Sequence, residues 1–236
     1  MERGYHPPHK KGCEQLNVLV ACEESQEVCK AFRAKGHRAF SCDIQECSGG
    51  HPEWHIQGDC LPLLNGNCIF QTADTHTHTQ VGKWDLIIAH PPCTYLSNAG
   101  ACRLYPRKGE LDKDRYIKGL KGKEFFMAFW WYGFFGGRVV IENPVPSSVY
   151  ELPKQTNVIQ PYEFGEVWSK KTYLWEFGVP HLMPTEIVAD HKPFLPSGTG
   201  RKLRGDTYGA KGCAHDGKPR SKTFPGIAKA MAEQWG

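Results

Sequence analysis

The chain has 236 residues, of which 40% are hydrophobic, 23% charged and 12% aromatic. Its 29 basic and 25 acidic side chains give a formal net charge of +4. This composition excludes a wholly disordered chain, and no apolar run reaches the roughly 20 residues that span a membrane. The N-terminal segment lacks the apolar core of a secretory signal, so a cytoplasmic location is expected. The length suits one α/β domain, or at most two small ones.

Apolar strand patterns alternate with helical patterns along the chain, after a polar segment, 1–15, that is expected to be frayed. Strands are predicted at 17–21, 38–42, 54–57, 85–89, 138–141 and 172–177, and helices at 28–34, 113–135 and 227–235. Segments 68–71 and 77–81 predict a hairpin inside a small insertion, 68–83. Strands that are apolar on both faces indicate a mostly parallel, Rossmann-like sheet with helices on both faces, within one domain over 16–236.

Ten cysteines are scattered through the sequence without the regular spacing of a disulfide scaffold. Cys42 and Cys47, with His51 and His55 behind them, form the one pattern that suggests zinc. No second close cysteine pair follows, as structural zinc sites usually require. We therefore expect no metal, and we expect most of the cysteines to be buried apolar side chains.

Polar side chains follow five of the predicted strands, where ligands bind in parallel sheets. These positions are Glu23 to Gln26, Asp43, Asp59, Pro91-Pro92-Cys93 and Glu142-Asn143-Pro144. Asp43 is placed to accept hydrogen bonds from ribose hydroxyls, and Asp59 from an adenine amino group. Either aspartate is also a normal turn or helix-capping residue.

Cys93 and Glu142 carry the chemistry that the sequence predicts. Two prolines fix the backbone before Cys93 and hold its thiol out of the core, where a thiolate is a strong nucleophile. Burial is expected to raise the pKa of Glu142, so that it protonates a ring nitrogen while the sulfur attacks the ring. The alternatives are an inert buried thiol and a carboxylate bound to backbone amides. Lys170 and Lys171 either meet a phosphate or base edge, or are surface lysines.

A basic, glycine-rich loop is predicted at 190–220, and on composition it is either a solvated loop or a phosphate-binding segment.

The order of these motifs resembles the DNA (cytosine-5) methyltransferase family. Asp85 to Gly100 resembles the family's nucleophile motif, a strand that leads to Pro-Cys, and Glu142-Asn143-Pro144 resembles its Glu-Asn-Val/Pro motif. Val18 to Glu27 occupies the place of the cofactor loop, Phe164 to Trp175 resembles the Gln-x-Arg-x-Arg strand, and Arg220 to Gly226 resembles the closing segment. The likeness covers 17–236 and is greatest to short phage and prophage proteins of this family.

The resemblance implies a class I S-adenosylmethionine-dependent methyltransferase, phage or prophage encoded and acting in the bacterial cytoplasm. It would methylate C5 of a flipped cytosine in DNA through a transient Cys93 adduct. The implied catalytic residues are Cys93, Glu142, Asn143, Lys170 and Lys171. The implied cofactor-binding residues are Ala21, Cys22, Glu23, Ser25, Gln26, Asp43, Ile44, Gly58, Asp59, His90 and Pro92. The implied substrate-binding residues are Ser97, Asn98, Pro144, Arg201, Lys202, Arg204 and Arg220.

Three features differ from the family's pattern. The cofactor loop, Cys22 to Gln26, contains no glycine, and lysines stand where arginines are expected near Lys170. Only about 45 residues, 178–222, stand where members carry a separate target-recognition domain. We therefore expect a short or relaxed target sequence, or a non-duplex substrate. Two alternatives remain: a pyrimidine-modifying enzyme that acts on a nucleotide or RNA, and a catalytically silent protein that binds nucleic acid or the cofactor.

Overall fold

The structure, a computed structural model, describes residues 14–66, 68–74, 78–101, 103–192 and 222–236. The prediction of a frayed segment at 1–15 falls almost wholly outside these residues. So does most of the predicted basic loop, including Arg201, Lys202, Arg204 and Arg220.

A mostly parallel seven-stranded sheet forms the centre of the molecule. In chain order the strands are β1 (Asn17–Ala21), β2 (Arg38–Asp43), β3 (His55–Gln57), β4 (Cys68–Gln71), β5 (His78–Val81), β6 (Leu86–Ala89), β7 (Val139–Pro144), β8 (Asn157–Ile159) and β9 (Thr172–Phe177). The sheet order is β3-β2-β1-β6-β7-β9-β8, with β4 and β5 paired separately as an antiparallel hairpin. The first five strands of the sheet run parallel, and β9 pairs antiparallel with both β7 and β8. The predicted α/β class is thus confirmed.

Helices cover both faces of this sheet, as the apolar strands predicted. They are α1 (Glu27–Ala34), α2 (Asn98–Ala101), α3 (Lys113–Phe134) and α4 (Pro225–Trp235), with short 3-10 turns at Pro52–Trp54, Leu61–Leu63, Ser148–Tyr150 and Pro161–Glu163. Alternate residues of β1 enter different cores: Val18 and Val20 pack with α1 and α4, whereas Leu19 packs on the opposite face with α3. Because a strand has a side-chain period of two, β1 must be apolar throughout to supply both cores.

Helix α3 contains two glycines, Gly119 and Gly122, in its first half. Asp112 caps its first turn by accepting a hydrogen bond from Arg115 N at 2.9 Å. Gly119 is buried, and a Cβ there would lie 2.1 Å from the Tyr150 ring, so the glycine permits close packing between helix and ring. The helix is long, but none of the helices among the described residues is both long and apolar enough to cross a membrane.

The end of β7 differs from the prediction. The strand does not stop at Ile141 but continues through Glu142, Asn143 and Pro144. The antiparallel partner β9 extends the ladder to Pro144, and the sequence of β7 alone does not reveal that pairing. Strand β8 was not predicted at all, because three residues are too few to display a periodic pattern.

Candidate active site

A cavity of about 910 Å³ opens at the carboxyl ends of β1, β2, β6 and β7. This edge includes the point between β1 and β6 where the strand order reverses, which is the usual ligand position in open α/β sheets. Four of the five predicted catalytic residues line it: Cys93, Glu142, Lys170 and Lys171. It is also lined by six of the predicted cofactor residues, Cys22, Glu23, Ser25, Asp43, His90 and Pro92, and by three predicted substrate residues, Ser97, Asn98 and Pro144.

The loop that carries Cys93 is a tight turn. Cys93 is half-buried, and its carbonyl accepts hydrogen bonds from Leu96 N at 3.1 Å and Ser97 N at 2.9 Å. The two preceding prolines limit the backbone before this turn, because the proline ring fixes φ. The thiol is therefore held at the cavity wall and not in the hydrophobic core.

The loop at residues 91–98, called the nucleophile loop here after the role predicted for Cys93, is bonded to the segment that follows Glu142. Asn98 N donates to Val145 O at 2.9 Å, and Ser147 N donates to Leu96 O at 2.7 Å. Backbone hydrogen bonds of this kind fix two segments relative to each other. Cys93 and Glu142 are consequently held in one rigid frame although 48 residues separate them in the sequence.

Asn143 does not line the cavity but is hydrogen-bonded to the nucleophile loop. Its side chain is completely buried, and its Nδ2 donates to Pro91 O at 2.9 Å. Along a strand, successive side chains point to opposite faces, so Asn143 faces away from the side that Glu142 occupies. The resemblance implied a catalytic role for Asn143, but the contact is that of a residue that positions the Pro-Pro-Cys turn.

Glu142 is bound to His90 in the cavity wall. His90 Nδ1 and Glu142 Oε2 are 3.2 Å apart, and the two side chains are 10% and 16% exposed. The expectation of a raised pKa for Glu142 is wrong. Burial does push that pKa upward, but the His90 hydrogen bond and the positive charges of Lys170 and His90 outweigh it, so the pKa of Glu142 is lowered. Glu142 is therefore a carboxylate near neutral pH.

The segment predicted as the cofactor loop, Cys22 to Gln26, contains backbone conformations that usually require glycine. Cys22 has a φ of 61° and Gln26 a φ of 59°, both in the left-handed region. Non-glycine residues in this region cost roughly 1–2 kcal/mol each. Such strain is common where a backbone is shaped for a ligand, and Cys22 lies at the cavity wall.

Glu23 lines the cavity, but it also caps helix α1. Its Oε1 accepts from Val28 N at 2.7 Å and its Oε2 from Cys29 N at 3.2 Å. The side chain is only 4% exposed. Burial raises the pKa of Glu23, and the charge of His90 and the two amides oppose this only in part.

Further acidic groups lie at the same end of the cavity. Asp43, at the end of β2, lines the cavity, and its Oδ1 accepts a hydrogen bond from Gln45 N at 2.9 Å. Glu24 accepts a hydrogen bond from the hydroxyl of Ser48, and Lys222 Nζ donates to that hydroxyl at 3.2 Å. The cavity thus has an acidic side near β1 and β2, and Lys170 and Lys171 on the side of β9.

Five residues that the resemblance assigned to the cofactor do not line the cavity. Ala21 belongs to the core, Ile44 is exposed to solvent, and Asp59 accepts from Leu61 N in a turn just after Gly58. Gln26 is completely buried, and it bonds to both backbone groups of His51, donating to the carbonyl at 2.8 Å and accepting from the amide at 3.0 Å. These contacts are structural.

Two other cysteines, Cys22 and Cys42, have thiols whose pKa is raised, which disfavours the thiolate form. Cys22 Sγ lies 3.9 Å from Cys60 Sγ, and this contact together with burial raises the pKa of Cys22 far above its ordinary value. Burial likewise raises the pKa of Cys42. No group of three or more His, Cys, Asp or Glu side chains in the described ranges is arranged to hold a metal ion, including the Cys42 and Cys47 pattern.

Several cavity residues were missed by the sequence reasoning. Gln160 enters from the end of β8, Ser169 from the segment before β9, and Thr223 from the segment before α4. Gln160 Oε1 is buried with no hydrogen-bond partner among the residues described. No signal in the sequence identifies Gln160, because the strand that places it was itself not predicted.

Comparison of the chain with models of known protein families and with curated proteins finds no match. The function is therefore inferred from the geometry and chemistry of the cavity.

Proposed function

We propose that this protein is an S-adenosylmethionine-dependent methyltransferase that methylates C5 of cytosine in DNA through a transient Cys93 adduct. One observation carries the proposal. The half-buried thiol of Cys93 and the carboxylate of Glu142 line the same cavity, with the acid Asp43 along the same strand edge. A nucleophile, a group for the ring nitrogen and an acceptor for ribose hydroxyls are the parts that this reaction requires.

Cys93 would attack C6 of the cytosine ring, which makes C5 nucleophilic. The hydrogen bonds between the nucleophile loop and the segment after Glu142 limit how far the sulfur and the carboxyl can move apart. Holding reacting groups in one geometry contributes several kcal/mol to the lowering of a barrier. As a carboxylate, Glu142 would accept a hydrogen bond from the exocyclic amino group. Once it has gained a proton, it would donate that proton to N3 and so stabilise the negative charge that develops on the ring.

The cavity residues fit S-adenosylmethionine. The volume of the cavity, about 910 Å³, lies within the usual range of small-molecule sites, about 300–1,000 Å³. Glu24 and Asp43 supply negative charge for a ligand whose sulfonium and ammonium groups are cationic, and Asp43 would also accept from the ribose. When bound, the cofactor supplies an electrophilic methyl group. On this interpretation the sheet is that of a class I methyltransferase, and the β4–β5 hairpin is an insertion.

The basic residues at the cavity support a nucleic-acid substrate. Lys170, Lys171 and Lys222 all line the cavity, and lysine neutralises phosphates as a point charge. We include Arg201, Lys202, Arg204 and Arg220 in the DNA-binding set from their place in the sequence.

The test is transfer of tritium from labelled S-adenosylmethionine to duplex DNA, single-stranded DNA, RNA or dCMP. We expect label on DNA cytosine, lost in Cys93→Ala and retained in Cys47→Ala. Cys47 is the matched control because it is also a half-buried thiol but lies outside the cavity. A covalent adduct with DNA that contains 5-fluorocytosine tests the nucleophile directly. Wild-type labelling in the Cys93→Ala variant, or no label on any DNA, would overturn the proposal.

A second candidate follows from the ionised state of Glu142. A carboxylate accepts a hydrogen bond from N3–H of uracil without any added proton, whereas N3 of cytosine carries a lone pair. This favours a uracil base, in dUMP or in DNA, as the alternative pyrimidine for the same thiol. Label on uracil substrates and none on cytosine would establish it.

A further inference from the structure

His90 is fixed in the cavity wall by its backbone and by one side-chain contact. Its N–H donates to Ala21 O at 2.9 Å, which ties the end of β6 to the end of β1. Its imidazole is nine-tenths buried, and Nδ1 lies 3.2 Å from Glu142 Oε2. Its other ring nitrogen, Nε2, is buried, and no hydrogen-bond partner for it lies among the residues that the structure describes. The sequence resemblance assigned His90 to the cofactor, but its side-chain contact is with Glu142.

The proposed reaction poses a problem that this contact can solve. N3 of cytosine must gain a proton, or a strong hydrogen bond, when sulfur adds to C6. Glu142 cannot donate a proton in the carboxylate form that its surroundings favour. Lys170, the other nearby cation, also favours that form. A second group that holds the proton close to Glu142 is therefore required.

We propose that His90 holds the proton that Glu142 delivers to cytosine N3, and that it also orients the Glu142 carboxylate. This inference rests on the proposed function. Imidazole is suited to the task because it is the side chain that changes protonation near neutral pH. His90 acts on the substrate only through Glu142, so it is a positioning residue and proton store.

The proton movement balances at each step. As Cys93 sulfur forms its bond to C6, the His90 Nδ1–H bond breaks and an O–H bond forms on Glu142. That O–H bond then breaks as N3–H forms, which leaves His90 neutral with its remaining proton on Nε2 and Glu142 ionised. After methyl transfer, a base takes the C5 proton, and the electron pair of the broken C5–H bond expels the thiolate from C6. The N3 proton then returns through Glu142 to His90, so the pair is restored after each turnover.

The charged groups that face this pair come from three other parts of the fold. Glu23, on the loop after β1, interacts electrostatically with His90. Lys170, before β9, interacts with Glu142, and Cys93 lies three residues beyond His90 in the same cavity. Any measured pH dependence must therefore be compared between variants, because the charges of Glu23 and Lys170 also act on this pair.

The kinetic test compares His90→Asn with His90→Ala in the full-length protein. Asparagine places a donor nitrogen near the position of Nδ1 but does not release a proton, so it separates orientation from proton transfer. We expect kcat to fall about 10²- to 10³-fold in both variants, since that is the usual contribution of a proton-transferring group. KM for DNA should stay within about threefold, because His90 acts on the chemical step. We expect wild-type kcat to fall at alkaline pH, where the proposed proton store on His90 is lost, and we expect this fall to flatten in His90→Asn. Added imidazole should partly restore His90→Ala.

A second measurement does not depend on turnover. Carbon-13 labelling of the glutamate carboxyls gives the pKa of Glu142 by NMR, with its signal assigned by loss in Glu142→Gln. We expect the pKa of Glu142 to rise in His90→Ala, because burial is then opposed by Lys170 alone. The control is His51→Ala, which removes a histidine paired with a different glutamate, Glu53, outside the cavity.

Two results would overturn the inference: an unchanged kcat and pH profile in His90→Asn, or an unchanged pKa of Glu142 in His90→Ala. The failure of this inference can also be distinguished from the failure of the proposed function. If the wild-type protein labels no cytosine substrate, the proposed function fails, whereas the NMR measurement still decides whether His90 and Glu142 are coupled.

Discussion

The contact between Asn143 and Pro91 gives a sharp test of how the nucleophile loop is held. Replacing Asn143 by alanine removes the 2.9 Å hydrogen bond and leaves the buried Pro91 carbonyl without its donor. Leaving a buried acceptor unsatisfied costs about 1–3 kcal/mol. With a urea m-value of about 2 kcal/mol/M, a loss of about 2 kcal/mol lowers the unfolding midpoint by about 1 M.

The same change should also slow catalysis beyond its effect on stability. A displacement of reacting groups by about 1 Å can cost about 100-fold in rate, so we expect kcat to fall by about that factor when it is measured well below the unfolding midpoint. Asn157→Ala is the matched control, because Asn157 Nδ2 also donates to a backbone carbonyl, Leu182 O at 3.1 Å, but outside the cavity. It should lose stability and keep kcat. An Asn143→Ala protein with wild-type midpoint and wild-type kcat would refute the reasoning.

Two further predictions concern stability. Gly119→Ala should destabilise the protein by about 1–3 kcal/mol in thermal unfolding, because the added Cβ would lie 2.1 Å from the Tyr150 ring. Gly122→Ala in the same helix should stabilise it by about 0.5–1 kcal/mol, since the added Cβ would lie no closer than 3.4 Å to any neighbouring atom. A more stable Gly119→Ala protein and a less stable Gly122→Ala protein would contradict the packing described. Because the pKa of Glu23 is raised in the folded state, the folded protein binds more protons, and its free energy of unfolding should fall as pH rises above about 4.5. Urea unfolding between about pH 4 and pH 8 should show a flatter dependence in Glu23→Gln, and parallel curves would show that Glu23 does not contribute.

The strands that the sequence predicted well are those that are buried on both faces. Strands β1 and β9 were predicted with their observed bounds, and β6 to within one residue, because their apolar runs end at polar or turn-forming residues. Helix α3 was predicted to within one residue despite its glycines, because the remaining residues keep a helical pattern. Strand β8 and the extension of β7 were not predicted, since both depend on pairing with β9 and not on their own sequence.

The same limit applies to the candidate site. The strand-end rule brought Cys93, Asp43 and Glu142 to one edge, because the order of polar residues after strands can be read directly from the chain. The partner of each side chain cannot be read in that way. His90 and Glu142 are 52 residues apart and meet only because β6 and β7 are neighbours in the sheet. Gln26 looked equivalent to its loop neighbours, but its left-handed backbone accompanies a side chain buried against His51 and not one that faces the cavity.

The two buried glutamates of the cavity show how partners decide the chemistry of a residue type. Burial raises the pKa of both Glu23 and Glu142. Glu23 accepts hydrogen bonds from neutral backbone amides, which offset burial only in part, so its pKa remains raised. Glu142 accepts from His90 and lies near Lys170, and these cations reverse the effect. Carboxyl groups whose surroundings separate their pKa values are suited to different roles in proton transfer. In this cavity the acid with the raised pKa caps a helix, and the carboxylate with the lowered pKa lines the same cavity as the Cys93 thiol. If the proposed function is correct, the proton for a cytosine ring comes through His90.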